Sequence, residues 1–166
     1  MERIWCLFLL LFLAACDSGE PGRLAVMDFQ GDEGEAVVRH VIAHLPVLEP
    51  EVPKLYCVVL GPRLMAARMD FAKRMDDLKL HFVSGDSLTL REPNKSIVDP
   101  ASGLSPITLQ LFEMKRTGSD SLEVVAGWAY KKTWERRRYK VTLLGPKGWQ
   151  VVDAGRVEGN YVAEGK

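Results

Sequence analysis

The sequence predicts an α+β domain in which two N-terminal helices pack on a curved antiparallel β-meander. Apolar residues recur at helical spacing in two segments, residues 35 to 45 and 63 to about 77. Four longer runs rich in β-forming residues then follow, separated by short turns. Because one face of such a meander is apolar, we expect the two helices to cover it.

Composition indicates one globular domain. The 166 residues are 47% hydrophobic and 27% charged, with a formal net charge of zero. A chain of this length buries a sizeable core. The overall charge shows no basic excess of the kind that nucleic-acid binders carry. We place this domain at residues 35 to 160, followed by a short tail at 161 to 166.

The first fifteen residues are set apart from the domain. A short N-terminus with one positive side chain precedes an unbroken apolar run, residues 4 to 13. At about 1.5 Å per helical residue this run is too short to cross a hydrocarbon core roughly 30 Å thick. It is instead typical of the core of a signal peptide.

The residues that follow the apolar run, Leu13-Ala14-Ala15-Cys16, resemble the bacterial lipoprotein box. The resemblance implies that Cys16 carries a diacylglycerol and that the chain is cut between Ala15 and Cys16. It implies a lipid-anchored protein of the bacterial cell envelope, at the inner or outer membrane facing the periplasm or at the cell surface. An ordinary secretory signal with a cysteine nearby is the alternative. Residues 16 to 34, rich in Gly, Pro and acids, are predicted to be a tether.

The first half of the domain is predicted to be mainly helical. Residues 35 to 45 form an amphipathic helix that Pro46 and Pro50 end. A short apolar strand follows with Cys57, which is expected to be a small buried hydrophobe rather than a reactive thiol. In the second helix, Arg68 falls in the middle of the apolar face. Its side chain is predicted either to pair with an acid or to line a pocket for an anionic group.

The second half is predicted to be strands. Two short candidates, residues 78 to 83 and 87 to 91, precede a loop at 99 to 106. The four meander strands are predicted at residues 107 to 115, 122 to 130, 137 to 144 and 149 to 157. A four-residue turn between the last two would place Leu144 opposite Trp149, Val141 opposite Val152 and Lys140 opposite Asp153.

The order of these elements resembles cystatin-like and nuclear-transport-factor-like α+β folds. The resemblance rests on helices first and a closing hairpin last, Gly148-Trp149-Gln150-Val151-Val152. A Tyr-Cys strand at Tyr56 and a Val-Asp loop at Val98 also resemble uncharacterised bacterial exported proteins. The resemblance points to no catalytic residues. Because such folds include both enzymes and binding modules, the fold alone carries little weight for function.

A basic segment, residues 131 to 140, carries six Lys or Arg residues and one acid. Basic side chains interleaved with aromatic ones are suited to an anionic surface, such as phospholipid head groups or an envelope polymer. Nucleic acid is not expected outside the cytoplasm. Pairing with acids of neighbouring strands, such as Glu113 and Glu123, is the alternative. The candidate contact residues are Lys131, Lys132, Trp134, Arg136 and Arg138.

Two further sets of residues are candidate sites. Arg68, Trp128 and Tyr130 are candidates to line a pocket between the sheet and its helices, although they equally suit a filled core. His40 and His44 lie one helical turn apart, the spacing of two metal ligands, but the Glu that zinc hydrolases use after the first His is missing.

The sequence therefore favours a non-catalytic binding or interaction module of the envelope, with an envelope protein or an anionic polymer as partner. A metal-dependent hydrolase built on His40 and His44 is the alternative. No phosphate-cradling glycine loop, nucleophile-elbow motif or Cys-x-x-Cys occurs in the chain. No cofactor is predicted.

Overall fold

The computed structural model of the chain describes residues 28 to 92 and 96 to 162. The predicted signal peptide, the Cys16 lipidation site and most of the tether lie outside the described residues. No helix within the described part of the chain has the length and apolar character that crossing a membrane requires. Two α-helices and nine strands are present there: α1 Asp32–Ala43, β1 Leu55–Leu60, β2 Met65–Ala66, α2 Met69–Lys73, β3 His81–Phe82, β4 Thr89–Arg91, β5 Ser96–Val98, β6 Ile107–Gly118, β7 Ser121–Tyr130, β8 Thr133–Leu143 and β9 Trp149–Gly159.

The strands form one mixed sheet and a separate hairpin. Strands β6 to β9 make the predicted antiparallel meander, and β1 joins it parallel to β6. The order across the sheet is β2-β1-β6-β7-β8-β9, with β3 paired to β1 in parallel. Within the described part of the chain, strands β4 and β5 pair only with each other. The α+β class is therefore confirmed, although the sheet is mixed rather than wholly antiparallel.

Helix α1 covers one face of the sheet. Its residues Val37, Val38 and Val41 are buried in the core between α1 and strands β6 to β9. The helix begins at Asp32, three residues before its predicted start, with Asp32, Glu33 and Glu35 in its first turn. Negative side chains there interact favourably with the positive end of the helix dipole. We call this side of the sheet the helix-covered face.

The opposite side of the sheet is called the open face. Side chains alternate between the two faces along each strand. On β1, Tyr56 and Val58 belong to the core cluster under α1, so Cys57 and Val59 point to the open face. The strand pairing then places Thr108 beside Cys57 and Ala129 beside Thr108.

The predicted second helix is much shorter than its sequence pattern suggests. Within residues 63 to 77, only α2 is α-helical. Leu64 has a φ of 52°, Met65 pairs with Leu60 of β1, and Arg68 is extended with a ψ of 147°. The pairing of β2 with β1 is a tertiary contact that overrides the local helical preference.

The predicted register of the closing hairpin is wrong by one residue. Leu143 lies opposite Trp149 and Tyr139 lies opposite Asp153, with five residues in the turn instead of four. The additional residue is accommodated by a 3-10 turn at Gly145–Lys147, where Gly145 has a φ of 56°. In this register Val141, which is fully buried, faces Val151 rather than the exposed Val152.

Candidate binding groove

A groove lies on the open face, between the sheet and the β4–β5 hairpin. One part of it has a volume of about 620 Å³. We call this part of the groove the apolar lobe, and its floor includes Cys57 and Val59. The residues that line its walls come from β2 and the residue before it, from the turn that precedes β4, and from the hairpin: Leu64, Met65, Ala66, Gly85, Asp86, Leu88, Thr89, Leu90 and Ile97.

A second lobe continues the groove toward the β7–β8 turn. Its volume is about 780 Å³, and it shares Ile97, Thr108 and Ala129 with the apolar lobe. We call it the basic lobe, because two lysines lie at its end. Volumes of this size are typical of small-molecule sites. The other lining residues are Ser96, Ser105, Pro106, Lys131, Lys132 and Thr133.

Exposed apolar side chains are concentrated around the apolar lobe. The described residues expose eleven large hydrophobic side chains, and four of them line this lobe. Their exposed fractions are 42% for Leu64, 64% for Met65, 58% for Leu90 and 53% for Ile97. Single exposed apolar residues are ordinary, but a cluster of them is typical of interaction surfaces and ligand-binding grooves.

The basic lobe offers hydrogen-bond donors. Its lining includes the hydroxyl-bearing residues Ser96, Ser105, Thr108 and Thr133. The Cys57 thiol donates to the Thr108 hydroxyl oxygen at 3.5 Å, which leaves the hydroxyl hydrogen of Thr108 able to bond elsewhere. Burial raises the pKa of the Cys57 thiol above its usual value. Cys57 is fully buried, as the sequence predicts, and it forms part of the groove floor.

The β7–β8 turn that carries the two lysines is tied to the loop after α1. Lys131, at a φ of 54°, brings its Nζ to 2.5 Å from Glu49 Oε1. Tyr130 donates its hydroxyl to Glu49 Oε2 at 2.8 Å. Lys131 and then Tyr130 lower the pKa of Glu49 below its usual value, and Glu49 raises the pKa of Lys131. Within the described residues Lys132 has no such ion pair.

The other predicted anion-contact residues, those on β8, are paired with neighbouring strands. The Arg136 guanidinium lies 4.1 Å from the Phe112 ring centre and 5.3 Å from that of Trp134, and it pairs with Glu158 at 2.5 Å. Arg138 lies 3.5 Å from Glu123, the pairing that the alternative interpretation predicts. The structure thus divides the five residues. Lys131 and Lys132 line the groove, Arg136 and Arg138 pair with acids on the strand surface, and the Trp134 ring lies beside the Arg136 guanidinium.

Trp128 and Tyr130, which were predicted to line a pocket with Arg68, lie in a different part of the structure from Arg68. Trp128 and Tyr130 are only 4% and 6% exposed and belong to the core cluster. Arg68 precedes α2 on the surface, where its Nε lies 3.2 Å from Asp70. Because the second helix is shorter than predicted, Arg68 lies outside it and is not aimed at the core.

The two histidines of α1 stack on each other. Their ring centres are 4.1 Å apart with planes inclined by 24°, and His44 Nδ1 is 2.8 Å from the His40 carbonyl oxygen. Burial, and then His44, lower the pKa of His40. Lone pairs lie in the ring planes, so stacked rings do not direct two nitrogens to one point. No group of three His, Cys, Asp or Glu residues suited to a metal occurs in the described ranges.

Sequence reasoning missed the walls of the groove. Leu90 and Ile97 lie opposite each other in a hairpin of three residues per strand, too short for a clear period-two pattern. The available signal was the presence of large apolar residues in a segment, residues 84 to 106, that is otherwise rich in turn-forming residues.

Comparisons of the chain with protein-family models, with curated proteins and with solved structures find no match. The groove is consequently defined by the geometry of this chain alone. Its two features are an apolar wall and a pair of lysines at one end.

Proposed function

We propose that this chain is a lipid-anchored lipoprotein of the bacterial envelope whose domain binds a molecule with an apolar chain and does not catalyse a reaction. The observation that carries the proposal is the cluster of four exposed apolar side chains around one groove. Exposing these side chains to water does not stabilise the domain, whereas a bound apolar chain would remove them from water. The lipobox residues Leu13 to Cys16 support anchoring at a membrane.

The lipid on Cys16 is the proposed contact with the membrane. Each buried acyl methylene contributes about 0.8 kcal/mol, so two or three chains hold the protein firmly. Binding in the groove would then take place close to a membrane surface. The finer cystatin-like or nuclear-transport-factor-like fold is part of the proposal, and a helix packed across a four-strand meander supports it.

The anchor is tested on the full chain expressed in a bacterium with its signal intact. The expected product has lost residues 1 to 15, has gained acyl groups by mass and sediments with membranes. A Cys16→Ala variant is expected to keep its signal and gain no acyl group. An acyl-free wild-type product would overturn the lipoprotein assignment.

The groove is tested with the full chain in phosphatidylcholine vesicles and dodecanol that carries a photoreactive diazirine in its chain. Peptide mass spectrometry should place the crosslinks on the apolar lobe. Ile97→Asp should abolish them, because a carboxylate would then line the apolar wall. Val152→Asp is the matched control, since Val152 is 50% exposed but lies on β9, outside the groove. Crosslinks spread evenly over the surface would contradict a groove-binding function.

A further inference from the structure

We infer that the ligand of the groove is an anionic amphiphile bound in one direction, with its acidic head group in the basic lobe and its chain in the apolar lobe. This inference rests on the proposed binding function and adds to it the chemical class and the orientation of the ligand. The two lobes are continuous, because Ile97, Thr108 and Ala129 line both.

The charges at the two ends of the groove have opposite signs. Lys131 and Lys132 line the end of the basic lobe, and Asp86 lines the apolar lobe. An acidic head group is attracted to the lysines and repelled by Asp86, so the charges favour one orientation. The apolar wall formed by Leu64 and Met65 lies in the lobe with Asp86, where the chain is placed.

Lys132 supplies the positive charge for the head group. Lys131 is already paired with Glu49, whereas Lys132 has no ion pair within residues 28 to 92 and 96 to 162. The backbone of Lys132 is also held in place, since its carbonyl accepts a hydrogen bond of 2.7 Å from Asn160 Nδ2. A fixed backbone reduces the entropy lost when the side chain binds.

The hydroxyl groups of the basic lobe fit an oxyacid head. Ser105 and Thr133 line this lobe with the lysines. Carboxylate and phosphate oxygens accept hydrogen bonds from hydroxyls and from ammonium groups, and bonds to a charged acceptor are the stronger ones. Each further methylene buried in the apolar lobe should strengthen binding about fourfold.

The test compares three photoreactive probes of twelve carbons on the full chain in phosphatidylcholine vesicles: dodecanoate, dodecyl phosphate and dodecanol. Wild-type protein should crosslink the two anions at least about fivefold more efficiently than the alcohol. The stronger of the two anions identifies the head group as a carboxylate or a phosphate. Dodecanoate with its diazirine at the chain end should label Leu64 or Met65, and with its diazirine beside the carboxylate should label Ser105 or Pro106.

Substitutions of Lys132 test the contribution of its positive charge to binding. Lys132→Gln should lower dodecanoate crosslinking about fivefold more than it lowers dodecanol crosslinking, and Lys132→Arg should restore dodecanoate crosslinking. Lys140→Gln is the matched control, because Lys140 is an exposed basic residue of β8 that lies outside the groove.

The failures of the two proposals are distinguishable. Equal crosslinking of all three probes in the groove would contradict the proposal that the ligand is anionic, but would agree with the proposal that the groove binds an apolar chain. Reversed labelling by the two dodecanoate probes would overturn the orientation. Absence of groove crosslinks with every probe would remove both proposals.

Discussion

Tyr130 and Glu49 are joined by a hydrogen bond of 2.8 Å, from the tyrosine hydroxyl to Oε2 of the carboxylate. The other oxygen of Glu49 pairs with Lys131. This contact links the loop that follows α1 to the turn between β7 and β8. The position of the basic lobe therefore depends on a residue from a distant part of the chain.

Replacing Tyr130 with Phe should lower the urea midpoint of unfolding at pH 7. Lys131 and Tyr130 hold the folded pKa of Glu49 below its ordinary value of 4.5. The carboxylate therefore contributes stability above pH 4.5 that is lost as the pH falls through its folded pKa. The difference between wild type and Tyr130→Phe should accordingly be full at pH 7 and shrink below pH 4.5.

The matched control for this prediction is Tyr161→Phe. The Tyr161 ring packs edge-on against Trp128 at 5.2 Å, and its hydroxyl has no hydrogen-bond partner among the described residues. Its loss should leave the urea midpoint nearly unchanged at either pH. A gap for Tyr130→Phe that stays constant from pH 7 down to the lowest pH at which the domain remains folded would show that the carboxylate is not the partner.

Glu35→Gln should destabilise the domain by about 1 kcal/mol, measured as the free energy of unfolding. Glu35 accepts from Arg39 Nε at 2.8 Å and lies 2.7 Å from Arg74 Nε, so it joins α1 to the segment after α2. Glu33→Gln is the control, because it removes a charge from the same helical turn. We expect it to cost less than about 0.5 kcal/mol, the helix-dipole effect alone. Equal losses in both variants would mean that the arginine contacts contribute nothing.

The parts of the fold that the sequence predicts are those with long, regular patterns. Val37, Val38 and Val41 repeat at helical spacing and are buried on α1, and β6 to β9 each span ten residues or more. The sequence pattern overestimates the second helix because Met65 pairs with Leu60, a contact that local periodicity does not contain.

The candidate site is predictable only in part, for a related reason. Lys131 and Lys132 stand out because charged residues cluster in the sequence. The groove walls come from two separate segments, one with Leu64 and one with Leu90 and Ile97, which meet only after the chain folds. No spacing rule connects residues of two short strands in different sheets.

Cys57 should react with iodoacetamide only when the domain unfolds. Its side chain is fully buried and burial raises the pKa of its thiol, so the reactive thiolate is scarce at pH 8. Labelling of the peptide that contains Cys57, followed by mass spectrometry, should be slow without urea and complete within minutes above the unfolding midpoint. Rapid labelling in the absence of urea would show that the groove floor opens in the native state.

Gly127→Ala should be the most destabilising small substitution in the meander. A Cβ at residue 127 would lie 2.0 Å from the carbonyl oxygen of Glu135 and 2.8 Å from Cα of Arg136. These are backbone atoms of the paired strand, so β8 must move away from β7, and we expect a loss of about 3 kcal/mol. The same movement would draw Arg136 away from Phe112, against whose ring its guanidinium packs.

Gly103→Ala separates this clash from the general effect of losing a glycine. Gly103 has a φ of 70°, and a Cβ added there would meet no described atom within 4 Å, so only left-handed strain is expected, about 1 kcal/mol. Urea unfolding of both variants gives the comparison. If Gly127→Ala lost no more stability than Gly103→Ala, β7 and β8 would be able to separate at little cost in free energy. The close approach of these two strands would then not determine the structure of the open face.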